Sequence, residues 1–156
     1  MTLTTICRNR ADRPTLATMT VVLTVVATLG AAVARAEPVP TAPSADQLTS
    51  QMAVIFDLNA NRAQRASYLE AGDAALPVAD IVARPMAQHR SMVSMRVENP
   101  TLDGTRLSAQ LVMSVMGMGV QHRPLAWVDE GGTWKLSTGS LCSIYTETSR
   151  TSDCPV

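Results

Sequence analysis

The hydrophobic period changes near residue 91, and that change restricts the folds open to this chain of 156 residues. Before it, apolar side chains recur at helical spacing: Leu48, Met52, Ile55 and Phe56 stand at i, i+4, i+7 and i+8. After it they alternate. Val93, Met95 and Val97 interleave with Ser94, Arg96 and Glu98; Leu107, Ala109, Leu111, Met113 and Val115 interleave with Arg106, Ser108, Gln110 and Ser114. A period of two sends one set to each face of a sheet. Helices first and strands afterwards predict a segregated α+β domain, with N-terminal helices packed on a curved antiparallel sheet of four or more strands.

Local signals set the expected limits of each element. Ser44 and Gln47 form an S-x-x-Q capping box that opens the first helix, and Asp57–Asn61 breaks its pattern. A second helix is predicted over Arg62–Glu70, ended by Gly72, and a third from Pro77 towards Arg84, with Pro85 stopping or kinking it. The strands are predicted at Met92–Glu98, Arg106–Met116, Val120–Asp129 and Thr133–Tyr145, the last interrupted near Gly139. "NPTLDG" (99–104) reads as a turn and "DEGG" (129–132) as a tight hairpin.

The first 36 residues read as an export signal. Arg8, Arg10 and Arg13 precede the apolar run Leu16–Val33, which closes on Ala34-Arg35-Ala36, the small-x-small pattern of a cleavage site before Glu37. An uncleaved anchor is the alternative, and the threonines at 18, 20, 24 and 28 weigh against it. The expected organisation is a signal peptide (1–36), a Pro-rich extended leader (37–43), an α+β domain (44–146) and a C-terminal tail (147–156). The expected destination is extracellular or the cell envelope, with no stable membrane span left after cleavage. Cleavage would remove four arginines and one aspartate from a balanced set of 13 basic and 13 acidic side chains, for a net charge of −3. No basic cluster survives, which argues against nucleic acid as a partner. Cys142 and Cys154 are the two cysteines remaining. In an oxidising compartment a disulfide tying down the tail is the default; a metal pair or two free thiols are the alternatives.

The stretch "MSVMGMGVQH" (113–122) packs three methionines and a histidine into ten positions. Thioethers that converge would favour a soft cation such as reduced copper. On an unbroken strand, however, Met116 and Met118 share one face and Met113 takes the other, and Met92 and Met95 are opposed in the same way. With only five aromatic side chains in the sequence, core volume must come from aliphatics and methionine. Cavity lining or core filling is therefore the expected role, with no metal or other cofactor, and the glycines at 117 and 119 read as a kink that curves the sheet. His89 and His122 read as surface residues, His89 beyond a helix end and His122 at a strand edge or mouth.

Catalytic constellations are weak. A buried carboxylate with a tyrosine donor could transfer protons if an apolar cavity raised the acid's pKa, and Asp80, Tyr68 and Tyr145 are the set that could supply it. Each has a plainer role, as a solvated helix position or a core ring. No G-x-S-x-G elbow or Gly-rich phosphate loop is present.

The stretches "VPTAPSADQLTSQM", "EGGTWKLS" and "SLCSIY" resemble the actinobacterial secreted low-molecular-weight antigens, from Pro40 to Tyr145. The resemblance implies a nuclear transport factor 2-like (cystatin-like) domain, in which a curved sheet wraps helices into a cone with an apolar cavity. It carries no catalytic residues. In such a cone the expected lining is Tyr68, Met95, Leu111, Met113, Met116, Met118 and Trp127. The expected function is binding of an apolar small molecule, lipid or protein without catalysis. A secreted homodimer using the open sheet face is the second expectation, and an isomerase-like enzyme the third.

Overall fold

The computed structural model describes residues 41–156. The expected signal peptide and residues 37–40 of the leader lie outside the described residues. Helix α1 (Ala45–Ile55) begins at the capping box: the Ser44 amide donates to Gln47 Oε1 at 2.8 Å, and the Gln47 amide to Ser44 Oγ at 3.2 Å. Helix α2 (Arg62–Ser67) is shorter than expected and leads through a 3-10 turn (Gly72–Ala75) into α3 (Leu76–Gln88). Pro85 does not end α3, which continues to Gln88. One missing amide is tolerated because the helix packs a buried face of Leu76, Val78, Ala79, Val82 and Ala83 onto the core.

Four strands follow as an antiparallel meander in the order β1 (Val93–Asp103), β2 (Arg106–Val115), β3 (Gly119–Glu130) and β4 (Thr133–Leu136). The sheet curls into a half-barrel. The expected turn over 99–104 is narrower in fact: β1 runs on to Asp103, and the hairpin needs only Gly104 and Thr105. Asn99 and Pro100 form a bulge, with Asn99 at φ 54° and a register shift between Glu98 and Thr101. A short polar side chain tolerates that conformation, and the extra residue absorbs the proline without ending the strand. The expected hairpin after Glu130 is present, closed by Gly131 and Gly132.

The segment expected to complete a fourth strand is instead a helix. β4 stops at Leu136, and α4 (Thr138–Ser149) follows with Ser137 as its N-cap. Ser137 Oγ accepts from the Ser140 amide at 3.2 Å, and Ser140 Oγ accepts from the Ala126 amide at 2.7 Å, fastening the helix start to β3. Leu141, Ile144 and Tyr145 are buried, the i, i+3, i+4 spacing of one helical face. Cap and burial together outweigh the strand propensity of isoleucine, tyrosine and threonine. Tyr145 therefore sits on a helix. The Cys142–Cys154 disulfide, with Cα atoms 5.6 Å apart, returns the tail to α4 rather than to a strand.

Core packing joins both halves. Leu48, Met52 and Ile55 of α1 meet Leu107, Leu111, Leu125, Trp127 and Leu136 of the sheet, with the buried faces of α3 and α4 closing the cluster. Polar ties fix α1 to the sheet. Thr49 Oγ1 accepts from the Val97 amide at 2.8 Å. Gln51 accepts from the Trp127 indole at 2.8 Å and donates to the Trp134 carbonyl. The Trp134 indole in turn donates to the Thr41 carbonyl at 3.0 Å, so the end of the leader is held against β4.

Candidate functional site

Three elements converge on one hollow at the start of β1. Helix α3 presents Val82, Met86 and His89 at i, i+4 and i+7, α4 presents Ile144 and Thr148 at i and i+4, and β2 presents Met113 and Val115 at i and i+2. Met92, Met116 and Met118 complete a pocket of about 310 Å³. That volume stands at the lower end of the ~300–1,000 Å³ of small-molecule sites.

The turn between β2 and β3 accounts for the convergence. Gly117 and Gly119 adopt φ of 83° and 85°, the left-handed region that residues with a Cβ rarely enter, and they close a hairpin over Met116–Met118. They do not bend a continuous strand, as the sequence suggested. Because the strand ends at Val115, the alternation that would have set Met113 against Met116 and Met118 lapses. All three line the same pocket. Backbone hydrogen bonds hold the rim: the Met92 amide donates to the His89 carbonyl at 2.8 Å, the Met116 amide to the Met92 carbonyl at 2.8 Å, and the Met118 amide to the Val115 carbonyl at 2.9 Å.

The rim is open to solvent while the floor is closed. Met116 is 67 % exposed, Met118 79 % and Met92 42 %, whereas Val82 and Ile144 are buried. Arg123, on the adjoining β3 strand, pairs with Glu147 of α4, and burial pushes its pKa down.

Four residues of the expected lining are elsewhere. Leu111 and Trp127 are fully buried in the core. Met95 is half-buried and lines a neighbouring hollow with Phe56, Met86 and Arg90. Tyr68 lines a separate groove with Gln51, Val54 and Trp134. Met92 entered the sequence reading only beside a soft-cation site, and His89 only as a surface residue. The i, i+4, i+7 series Val82, Met86, His89 is the signal that would have placed the helix side of the pocket.

The residues weighed for proton transfer have other partners. Asp80 accepts from the Arg65 guanidinium at 2.6 Å, Tyr145 is buried on α4, and Tyr68 caps the end of α2. His122 is exposed on β3 opposite Val112 and does not line the pocket. Among the described residues, no group of three or more His, Cys, Asp or Glu side chains is placed to hold a metal ion. Among them too, no helix is long and apolar enough to cross a membrane.

A curled antiparallel meander backed by helices, a disulfide-tied tail and a methionine-rimmed apolar pocket make up a small α+β domain. Residues 41–152 match the family model of the low molecular weight antigen MTB12, C-terminal domain, and the chain belongs to that family. No curated protein matches the chain.

Proposed function

We propose that the chain is an exported, non-enzymatic domain that holds an apolar small molecule or a lipid acyl chain in the pocket between α3, α4 and the β2–β3 hairpin. The observation that carries this reading is the pocket itself: an apolar floor of Val82, Ile144 and Met113 under a rim of flexible methionine side chains. Methionine adapts its shape to different apolar partners, which suits a site that must admit ligands of varied outline. Export is supported by the sequence of residues 1–36 and by a disulfide, which persists in oxidising compartments. The engagement of Asp80 by Arg65 favours a structural over a catalytic duty for that carboxylate.

A series of straight-chain fatty acids from octanoate to tetradecanoate tests the reading, followed by NMR of 13C-labelled methionine methyl groups. Each added methylene contributes about 0.8 kcal/mol of burial, so affinity is expected to rise about fourfold per carbon until the pocket is full, then level off. The shifts should concentrate on Met86, Met92, Met113, Met116 and Met118 and spare Met52. Equal affinities along the series, or shifts scattered over the surface, would end the proposal.

A further inference from the structure

Five thioethers and one imidazole line a single pocket: Met86, Met92, Met113, Met116, Met118 and His89. We infer that its mouth is a binding site for one Cu(I) ion, held by the sulfurs of Met92, Met116 and Met118 together with the imidazole of His89.

Three observations carry this. The first is exposure. Methionine used as a gap filler is buried, as Met52 is at 0 %, yet the rim sulfurs belong to side chains 42 %, 67 % and 79 % exposed. Packing does not explain three large apolar side chains left in water around one opening. The second is backbone fixing: consecutive hydrogen bonds of 2.8 Å join His89 to Met92 and Met92 to Met116, so three of the four ligands spring from adjacent backbone. Met118 stands two residues further along a turn whose glycines leave it room to close. The third is the donor set. Neutral thioethers are soft and select Cu(I), whereas zinc needs thiolates or further imidazoles and calcium needs carboxylate oxygens. Among the described residues no such harder set gathers. A site at the mouth also leaves the single positive charge partly hydrated, which a buried floor would not allow.

This inference goes beyond the apolar-ligand reading and does not rest on it, since it uses sulfur and nitrogen lone pairs rather than apolar area. Isosteric replacement isolates the role of the donor atoms. Leucine keeps the volume and apolar surface of methionine but carries no donor atom. The purified chain would be titrated under argon against the coloured Cu(I) complex of bicinchoninate, and the loss of the complex's colour read by absorbance. One equivalent of copper should be withdrawn per chain. The Met116→Leu/Met118→Leu variant should lose about a hundredfold in Cu(I) affinity, and His89→Gln about tenfold, while the urea unfolding midpoint of each stays that of the parent. Met116 and Met118 lie on an exposed turn, so the fold is retained in the variant, which circular dichroism verifies. No withdrawal of copper, or undiminished withdrawal by the leucine variant, overturns the assignment; so does equal binding of Zn(II) in competition.

Discussion

Arg65 reaches 2.6 Å from the carboxylate of Asp80, and its own side chain is only 6 % exposed. Its Nε also donates to the Ile55 carbonyl at 2.9 Å, so one guanidinium joins the end of α1, the middle of α2 and the outer side of α3. Removing Asp80 strands a buried cation on a single carbonyl. A fully buried pair broken in this way loses about 3–5 kcal/mol, and the partial exposure of Asp80 reduces the expectation for Asp80→Asn to about 2 kcal/mol. Urea unfolding midpoints would measure it. The double replacement Arg65→Met/Asp80→Leu should recover most of the loss, because it removes both desolvated charges.

Half-buried Gln51 is a second polar tie. Trp127 is 0 % exposed, and its indole N–H has Gln51 Oε1 as its acceptor. Gln51→Leu leaves that donor unpaired in the core and should cost about 1–3 kcal/mol. Intrinsic tryptophan fluorescence reports both the unfolding and the altered surroundings of the ring.

Reduction of Cys142–Cys154, or replacement of both residues by serine, frees the tail from α4. Closing a loop with a sequence separation of 12 stabilises the folded chain by about 3 kcal/mol on the chain-entropy account. Thermal unfolding with and without a reducing agent gives the difference, and the doubly substituted chain should be insensitive to the reductant.

Thr148 faces the pocket from the last turns of α4. Thr148→Trp should occupy the space and lower dodecanoate affinity by at least about tenfold, while stability changes by no more than about 0.5 kcal/mol. Isothermal titration with the acid, alongside an unfolding curve, separates loss of space from loss of fold.

Much of this architecture is legible in the residues. The Ser44/Gln47 box and the Leu48, Met52, Ile55, Phe56 face specify α1, and all four apolar residues are buried. The alternation after residue 91 marks the meander because one face of each strand packs on helices. The default pairing of Cys142 with Cys154 is the disulfide the structure contains. What is not legible depends on competition between signals. The stretch "TGSLCSIYTETS" has strand-like composition, and the docking of Ser137 and Ser140 on Ala126 together with the burial of Leu141, Ile144 and Tyr145 decides for helix. Arg65 reads as one more charge on a polar helix; its burial requires knowing that Ile55 and Asp80 converge on it.

The pocket was half visible for a related reason. Its methionines stand out in composition, but their grouping turns on whether the chain bends or reverses at Gly117 and Gly119. A bend would have preserved the alternation and opposed the sulfurs. Reversal gathers them. Tertiary context, in the form of the Met92–Met116 hydrogen bond, favours the second.

The reversal at Met116–Met118 leaves the chain's chemistry open to its surroundings. Peroxide would reach the sulfurs of Met118 and Met116 long before that of Met52, which is shielded in the core. Each sulfoxide formed there would turn a greasy lip into a polar one, so the history of oxidant exposure would be written on the entrance while the scaffold beneath stayed intact, and a sulfoxide reductase could erase it.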